Sequence, residues 1–148
     1  MSHVTRVDVD IKDLVALEAA CKELGIKFIK DQSTYVWFGQ FVGDAPVPEG
    51  FTRNELGHCS HIIKVPGERY EIGVVQKDGK WRLLYDAWNE KDYRQPNGIV
   101  QKLGAGLEKL KQMYGVHKTT IEARARGLIV NRTVLNNGAI RMMIGGRL

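Results

Sequence analysis

The sequence predicts an α+β fold: a mainly antiparallel β-sheet with helices packed on one face, in two layers. Three observations predict it. Short apolar runs alternate with a period of two, as strands with one buried and one wet face require. Two longer stretches repeat their apolar residues every three to four positions, the helical period. Turn residues join the strand-like runs at short distance, so neighbouring strands run in opposite directions. The expected order is β-α-β-loop-β-β-β-α-α-β-β.

The first strand is expected over residues 4–11, where Val7, Val9 and Ile11 alternate with Arg6, Asp8 and Asp10. A helix follows, with Asp10 as its cap and Asp13 adding negative charge to the first turn. Leu14, Leu17, Cys21 and Leu24 form its apolar stripe, and Gly25 ends it. Residues 26–38 return to strand, interrupted by Lys30-Asp31-Gln32-Ser33. The segment 39–60 is too rich in Gly and Pro for a regular element, yet its apolar residues predict an ordered loop. His61–Val65 is a short strand. Tyr70–Val75 and Trp81–Trp88 pair as a hairpin around Asp78-Gly79, with Tyr70, Ile72 and Val74 on one face and Trp81, Leu83 and Tyr85 likewise. A helix is expected from about 97 to 114 on the stripe Ile99, Leu103, Leu107, Leu110 and Tyr114, with Gly104 and Gly106 as a flat patch for a close backbone. Gly115 is expected to break it, and a second helix to run from Thr119 or Thr120 to Arg126. Leu128–Leu135 and Ala139–Ile144 close the chain as strands around Asn136-Asn137-Gly138.

A chain of 148 residues reads as one domain, 1–148, able to bury a core unaided. It is 43% hydrophobic and 26% charged, ordinary for a globular protein. Two cysteines make no disulfide framework, and no apolar run approaches a membrane span, so a cytoplasmic protein is expected. The charge is unevenly spread. Residues 1–60 hold 6 basic and 9 acidic side chains; residues 101–148 hold 9 and 2. A basic C-terminal third on an otherwise near-neutral chain favours an acidic partner, and nucleic acid is the commonest.

Several stretches resemble a known family. Met1-Ser2-His3 with Leu14…Leu17…Leu24-Gly25, then Tyr70-Glu71-Ile72-Gly73, Leu84-Tyr85-Asp86-Ala87-Trp88, Tyr114…His117, Gly127-Leu128 and Asn137-Gly138-Ala139-Ile140-Arg141 are similar, in order and spacing, to domain of unknown function 1257. That family includes a cyanobacterial and plastid open reading frame. The loop from Trp37-Phe38-Gly39 to His58-Cys59-Ser60-His61 resembles its longer phage and bacterial branch. Asn137 stands where the family usually has Asp. The resemblance implies no activity and no catalytic residues, because the family has no assigned function.

The candidate sites are therefore read from the residues. His58, Cys59 and His61 are the best metal candidates, with zinc as the ion, although a site needs three or four ligands. No other cofactor is expected. If the strand includes Cys59, it shares a face with His61, and the two could form a thiolate–imidazole pair. Asp86, among aromatics late in a strand, is a candidate general base with His117 or Tyr114 as partner. Lys118, Arg124, Arg126, Arg132 and Arg141 form a patch suited to phosphates if they face one way. Trp37, Phe38, Phe41 and Phe51 form a protein-binding surface if exposed, and a lid over the sheet if buried. No catalytic constellation is complete, so the leading expectation is a non-enzymatic binding or adaptor module with a protein partner and no membrane. An electrostatic nucleic-acid binder is the first alternative. A small metal- or thiol-dependent enzyme around Cys59 and His61 is the second.

Overall fold

The computed structural model describes residues 4–7, 9–37, 47–87 and 98–146. It shows a small α+β fold with antiparallel sheets. The elements are β1 (Val4–Arg6), α1 (Leu14–Leu24), β2 (Lys27–Lys30), β3 (His61–Lys64), β4 (Ile72–Lys77), β5 (Lys80–Asp86), α2 (Gly98–Leu103), α3 (Glu108–Ala125), β6 (Ile129–Val134) and β7 (Ile140–Gly145). Five strands form one sheet in the order β1-β5-β4-β3-β2, each pair antiparallel. The element order matches the expected one.

One face of the sheet carries Phe28, Ile63, Ile72, Val74, Leu83 and Tyr85. They pack against Leu17, Ala20 and Cys21 of α1 and against Ile99, Leu103, Leu110 and Tyr114 of the later helices. Tyr114 also ties α3 to the start of α1, since its hydroxyl accepts from the amides of Lys12 at 3.1 Å and Asp13 at 3.3 Å. The β4–β5 hairpin turns at Asp78 and Gly79, both at positive φ, as its Asp-Gly predicts.

Four local expectations are corrected. β1 stops at Arg6, because the Val9 amide turns back to the Val7 carbonyl at 3.0 Å; Ile11 rejoins the sheet only as an isolated bridge to Trp81. The cap of α1 is Asp13, whose Oδ1 accepts from the amides of Val15 at 2.9 Å and Ala16 at 3.1 Å. Asp10 instead binds Lys80 at 3.0 Å and Arg82 at 2.7 Å, two cations that outbid a helix end one turn away. The helical stretch after residue 97 breaks at Gly104 and Gly106, not at Gly115. These two glycines stand at φ 83° and 63°, where a Cβ is strained. The nearest atoms an added Cβ would meet belong to the side chains of Glu108 and Lys111, not to a neighbouring backbone, so the role of these glycines is conformational. Gly115 sits inside the continuous α3; packing by Leu110, Tyr114 and Val116 offsets its cost of about 1 kcal/mol.

The fourth correction concerns the sheet's second face, which is dry near its centre. The cross-strand row Ile29, Ile62, Gly73 and Leu84 lies under Tyr35, Phe51 and Leu56. The final hairpin does not join this sheet. β6 and β7 form a separate two-stranded ribbon that packs on α3.

Candidate nucleic-acid interface

The loop that covers the second face is held by polar contacts as well as by apolar ones. Glu71 is buried at the start of β4, and its Oε1 accepts from the Val36 amide at 2.9 Å. Its own amide donates to the Val36 carbonyl at 2.8 Å. Lys77 binds Glu55 at 2.7 Å and lies 4.7 Å over the Phe51 ring. Phe51 is buried, and Trp37 packs partly buried against the same cluster. In its described part the aromatic loop is thus a lid and not a docking face. Phe38 and Phe41 lie outside the described residues.

The Cys and His candidates are dispersed. The strand begins only at His61, so the expected alternation does not extend back to Cys59. Cys59 packs with the loop-side cluster, and its thiol donates to the Gln32 carbonyl at 3.1 Å. Burial pushes that thiol up to about 11, away from the thiolate. His61 lies on the other side, its ring 5.5 Å from that of Phe28 and 5.2 Å from that of Trp81, and its Nδ1 accepts from the Asp31 amide at 3.0 Å. His58 is exposed at a bridge to Thr34. No group of three or more His, Cys, Asp or Glu side chains among the described residues is placed to hold a metal ion. Asp86 is buried at the end of β5, and alternation from Leu84 puts it on the loop side of the sheet. His117 and Tyr114 belong to α3, on the helix side. The sheet separates Asp86 from both.

The basic candidates do come together in part. In the ribbon register Arg132 opposes Met142 and Arg141 opposes Thr133, so the two arginines lie on opposite faces. Arg141 points outward with Asn131, Thr133 and Met143. Arg132 turns inward, where its Nη2 donates to Glu23 Oε1 at 2.7 Å and its Nη1 approaches Met113 Sδ at 3.6 Å. The same Glu23 oxygen lies 2.9 Å from His117 Nε2. The Arg132 hydrogen bond, joined by the His117 contact, holds the Glu23 carboxyl below its ordinary range.

Beside this trio is a cleft of 220 Å³ between α3 and β6, lined by Val116, His117, Thr120, Arg124, Val130 and Arg132. The helical period aligns His117, Thr120 and Arg124 on one stripe, which the sequence displays at spacings of three and four. Arg132, which completes the cleft, and Glu23, which anchors it from outside the lining, come from remote positions that no local pattern marks. Lys118 pairs loosely with Glu122 at 3.9 Å on another side of the helix. Lys102, Lys109, Lys111, Arg124, Arg126 and Arg141 make no ion pair among the described residues. The C-terminal unit of α3 and the ribbon therefore presents mostly uncompensated positive charge. It also exposes Ile129, Val134, Met143 and Ile144, four of the six large apolar side chains exposed among the described residues.

Compared with family models, curated proteins and solved structures, the chain matches none of them.

Proposed function

We propose that this protein is a non-enzymatic binding module that engages nucleic acid through α3 and the β6–β7 ribbon. One observation carries the reading. Residues 98–146 hold eight basic side chains against two acidic ones, and six of the eight have no ion-pair partner among the described residues. Uncompensated Lys and Arg attract the phosphate backbone and release its counterions, a force that needs no base reading. Tyr114, the only aromatic residue in this third, is buried, so α3 and the ribbon supply no aromatic platform of their own on which to stack single-stranded bases. A two-stranded ribbon whose outward face carries Arg141, Asn131 and Thr133 beside Met143 fits a duplex groove. The partner is therefore duplex, bound chiefly through its phosphates. The resemblance to domain of unknown function 1257 neither adds an activity nor opposes this one.

Fluorescence anisotropy with a labelled duplex, titrated at several salt concentrations, tests the proposal. Binding whose logarithm falls linearly with the logarithm of salt supports it; flat anisotropy at low salt removes it.

The exposed apolar side chains of the ribbon favour a second reading, a protein strand added to an open ribbon edge. Under that reading Met143→Thr abolishes partner binding while added salt leaves it nearly unchanged.

A further inference from the structure

We infer that the cleft between α3 and β6 is a phosphate seat, with Arg124 as the guanidinium that grips the anion and Arg132 as a second donor set in place by Glu23. This deepens the nucleic-acid reading, since the phosphate it would take there is one of the duplex backbone.

Arg124 and Arg132 line the cleft, and Glu23 pairs with Arg132. Glu23 would repel an anion, but its Oε1 already accepts from Arg132 and contacts His117, so its charge is compensated locally. Arg124 lines the same space and has no ion pair of its own among the described residues. Local charge is thus positive, with one whole guanidinium unspent. Guanidinium presents five donors in a planar fork that matches phosphate oxygens. Arg132 lines the cleft and commits one Nη2 proton to Glu23 and one Nη1 proton to Met113 Sδ, so three of its five donors are not used by these contacts. The Thr120 hydroxyl donates to the Val116 carbonyl at 2.7 Å, so it offers an anion no proton, and the two arginines must supply the grip.

Size points the same way. At 220 Å³ the cleft falls below the range of about 300–1,000 Å³ typical of small-molecule sites. It suits a compact group with a few waters and is too small for an intact nucleotide. Val116 and Val130 supply apolar walls that lower the local dielectric and strengthen each charged hydrogen bond. A larger cleft of 450 Å³, lined by Glu108, Lys109, Gln112, Asn137, Gly138 and Ala139, balances one cation with one anion and lacks this bias.

The test uses the full chain, a labelled duplex, and inorganic phosphate as a separate probe. Arg124→Gln is compared with Arg124→Lys and with Lys27→Gln, a change on β2 outside the cleft lining. Far-ultraviolet circular dichroism checks that each variant is folded. Arg124→Gln is expected to lower the salt slope of duplex binding by about 0.9, the loss of one phosphate contact. Arg124→Lys is expected to keep most of the slope, and Lys27→Gln all of it. Inorganic phosphate is expected to shift the side-chain resonances of Arg124 and Arg132 saturably in the wild type and not in Arg124→Gln. If the wild type binds duplex and Arg124→Gln binds with the same slope, the phosphate seat is wrong and the nucleic-acid reading stands. If duplex does not bind but phosphate saturates the arginine resonances, the seat stands and the nucleic-acid reading falls. If neither probe binds, both fall.

Discussion

Replacing Gly73 with Ala asks directly whether the aromatic loop is a lid. Gly73 is buried in β4, opposite Ile62 on one side and Leu84 on the other. A Cβ at this position would stand 2.4, 2.6 and 2.9 Å from three ring carbons of Tyr35. The ring has little room to retreat. Tyr35 is 3% exposed, and its amide is fixed to the Gly57 carbonyl at 3.0 Å. Taken alone, Gly to Ala in a strand gains about 0.5–1 kcal/mol by restricting the unfolded chain. Overpacking a closed core costs about 1–3 kcal/mol. The clash is with a pinned ring and not with a flexible tip, so the cost wins, and a net loss of about 1–2 kcal/mol is expected. Urea unfolding read by circular dichroism measures it as a lower midpoint at unchanged slope. Combining Gly73→Ala with Tyr35→Leu should show coupling of at least about 0.5 kcal/mol, because the new methyl then fills space the ring has left. A neutral or stabilising Gly73→Ala with no coupling would mean that Tyr35 is not seated on this face. The loop aromatics would then be available to a partner, and the loop side of the sheet would compete with the ribbon as the binding face.

Three further outcomes follow from the same contacts. Tyr35→Phe should be neutral or stabilising by up to about 1 kcal/mol, since an unsatisfied buried polar group costs about 1–3 kcal/mol. Its hydroxyl is buried with no formed hydrogen bond; burial raises its pKa to about 12, and the nearby Gly57 backbone offsets only part of the rise. Clear destabilisation in urea would reveal a partner for that hydroxyl. Asp13→Ala should cost about 1 kcal/mol while Asp10→Ala leaves α1 intact, because Asp13 is the N-cap; equal losses from both would contradict that assignment. Glu23 has a folded pKa below its ordinary 4.5, so its contribution is complete above that value and is lost as pH falls through the depressed folded pKa. Acid titration of stability should therefore be shallower below pH 4.5 in Glu23→Gln than in the wild type, and identical curves would remove the Arg132–Glu23 link.

The order of elements and the direction of the strands were legible because they depend on local period and turn chemistry. Asp78-Gly79 marks its hairpin, and the alternation of Ile72, Val74, Leu83 and Tyr85 marks the helix-side face. Competition between equivalent local signals was not legible. Asp10 and Asp13 both suit a cap, and only the placement of Lys80 and Arg82, some 70 residues away, decides between them. Gly104, Gly106 and Gly115 all suit a break, and backbone φ separates them. The C-terminal basic excess was visible as composition. Its geometry was not, because Arg132 and Arg141 part to opposite faces and Glu23 reaches Arg132 from 109 residues away. Cys59 and His61 looked paired because alternation was extended past the true start of β3.

On the proposed reading, α3 and the ribbon form the binding face while the loop side of the sheet is closed. Amide chemical-shift mapping during titration with a short duplex at low salt tests it most directly. Perturbations are expected to concentrate between Glu108 and Gly145, to be largest near Arg124 and Arg132, and to reverse with added salt. Perturbations confined to residues 47–59, or none at all at saturating duplex, would contradict it.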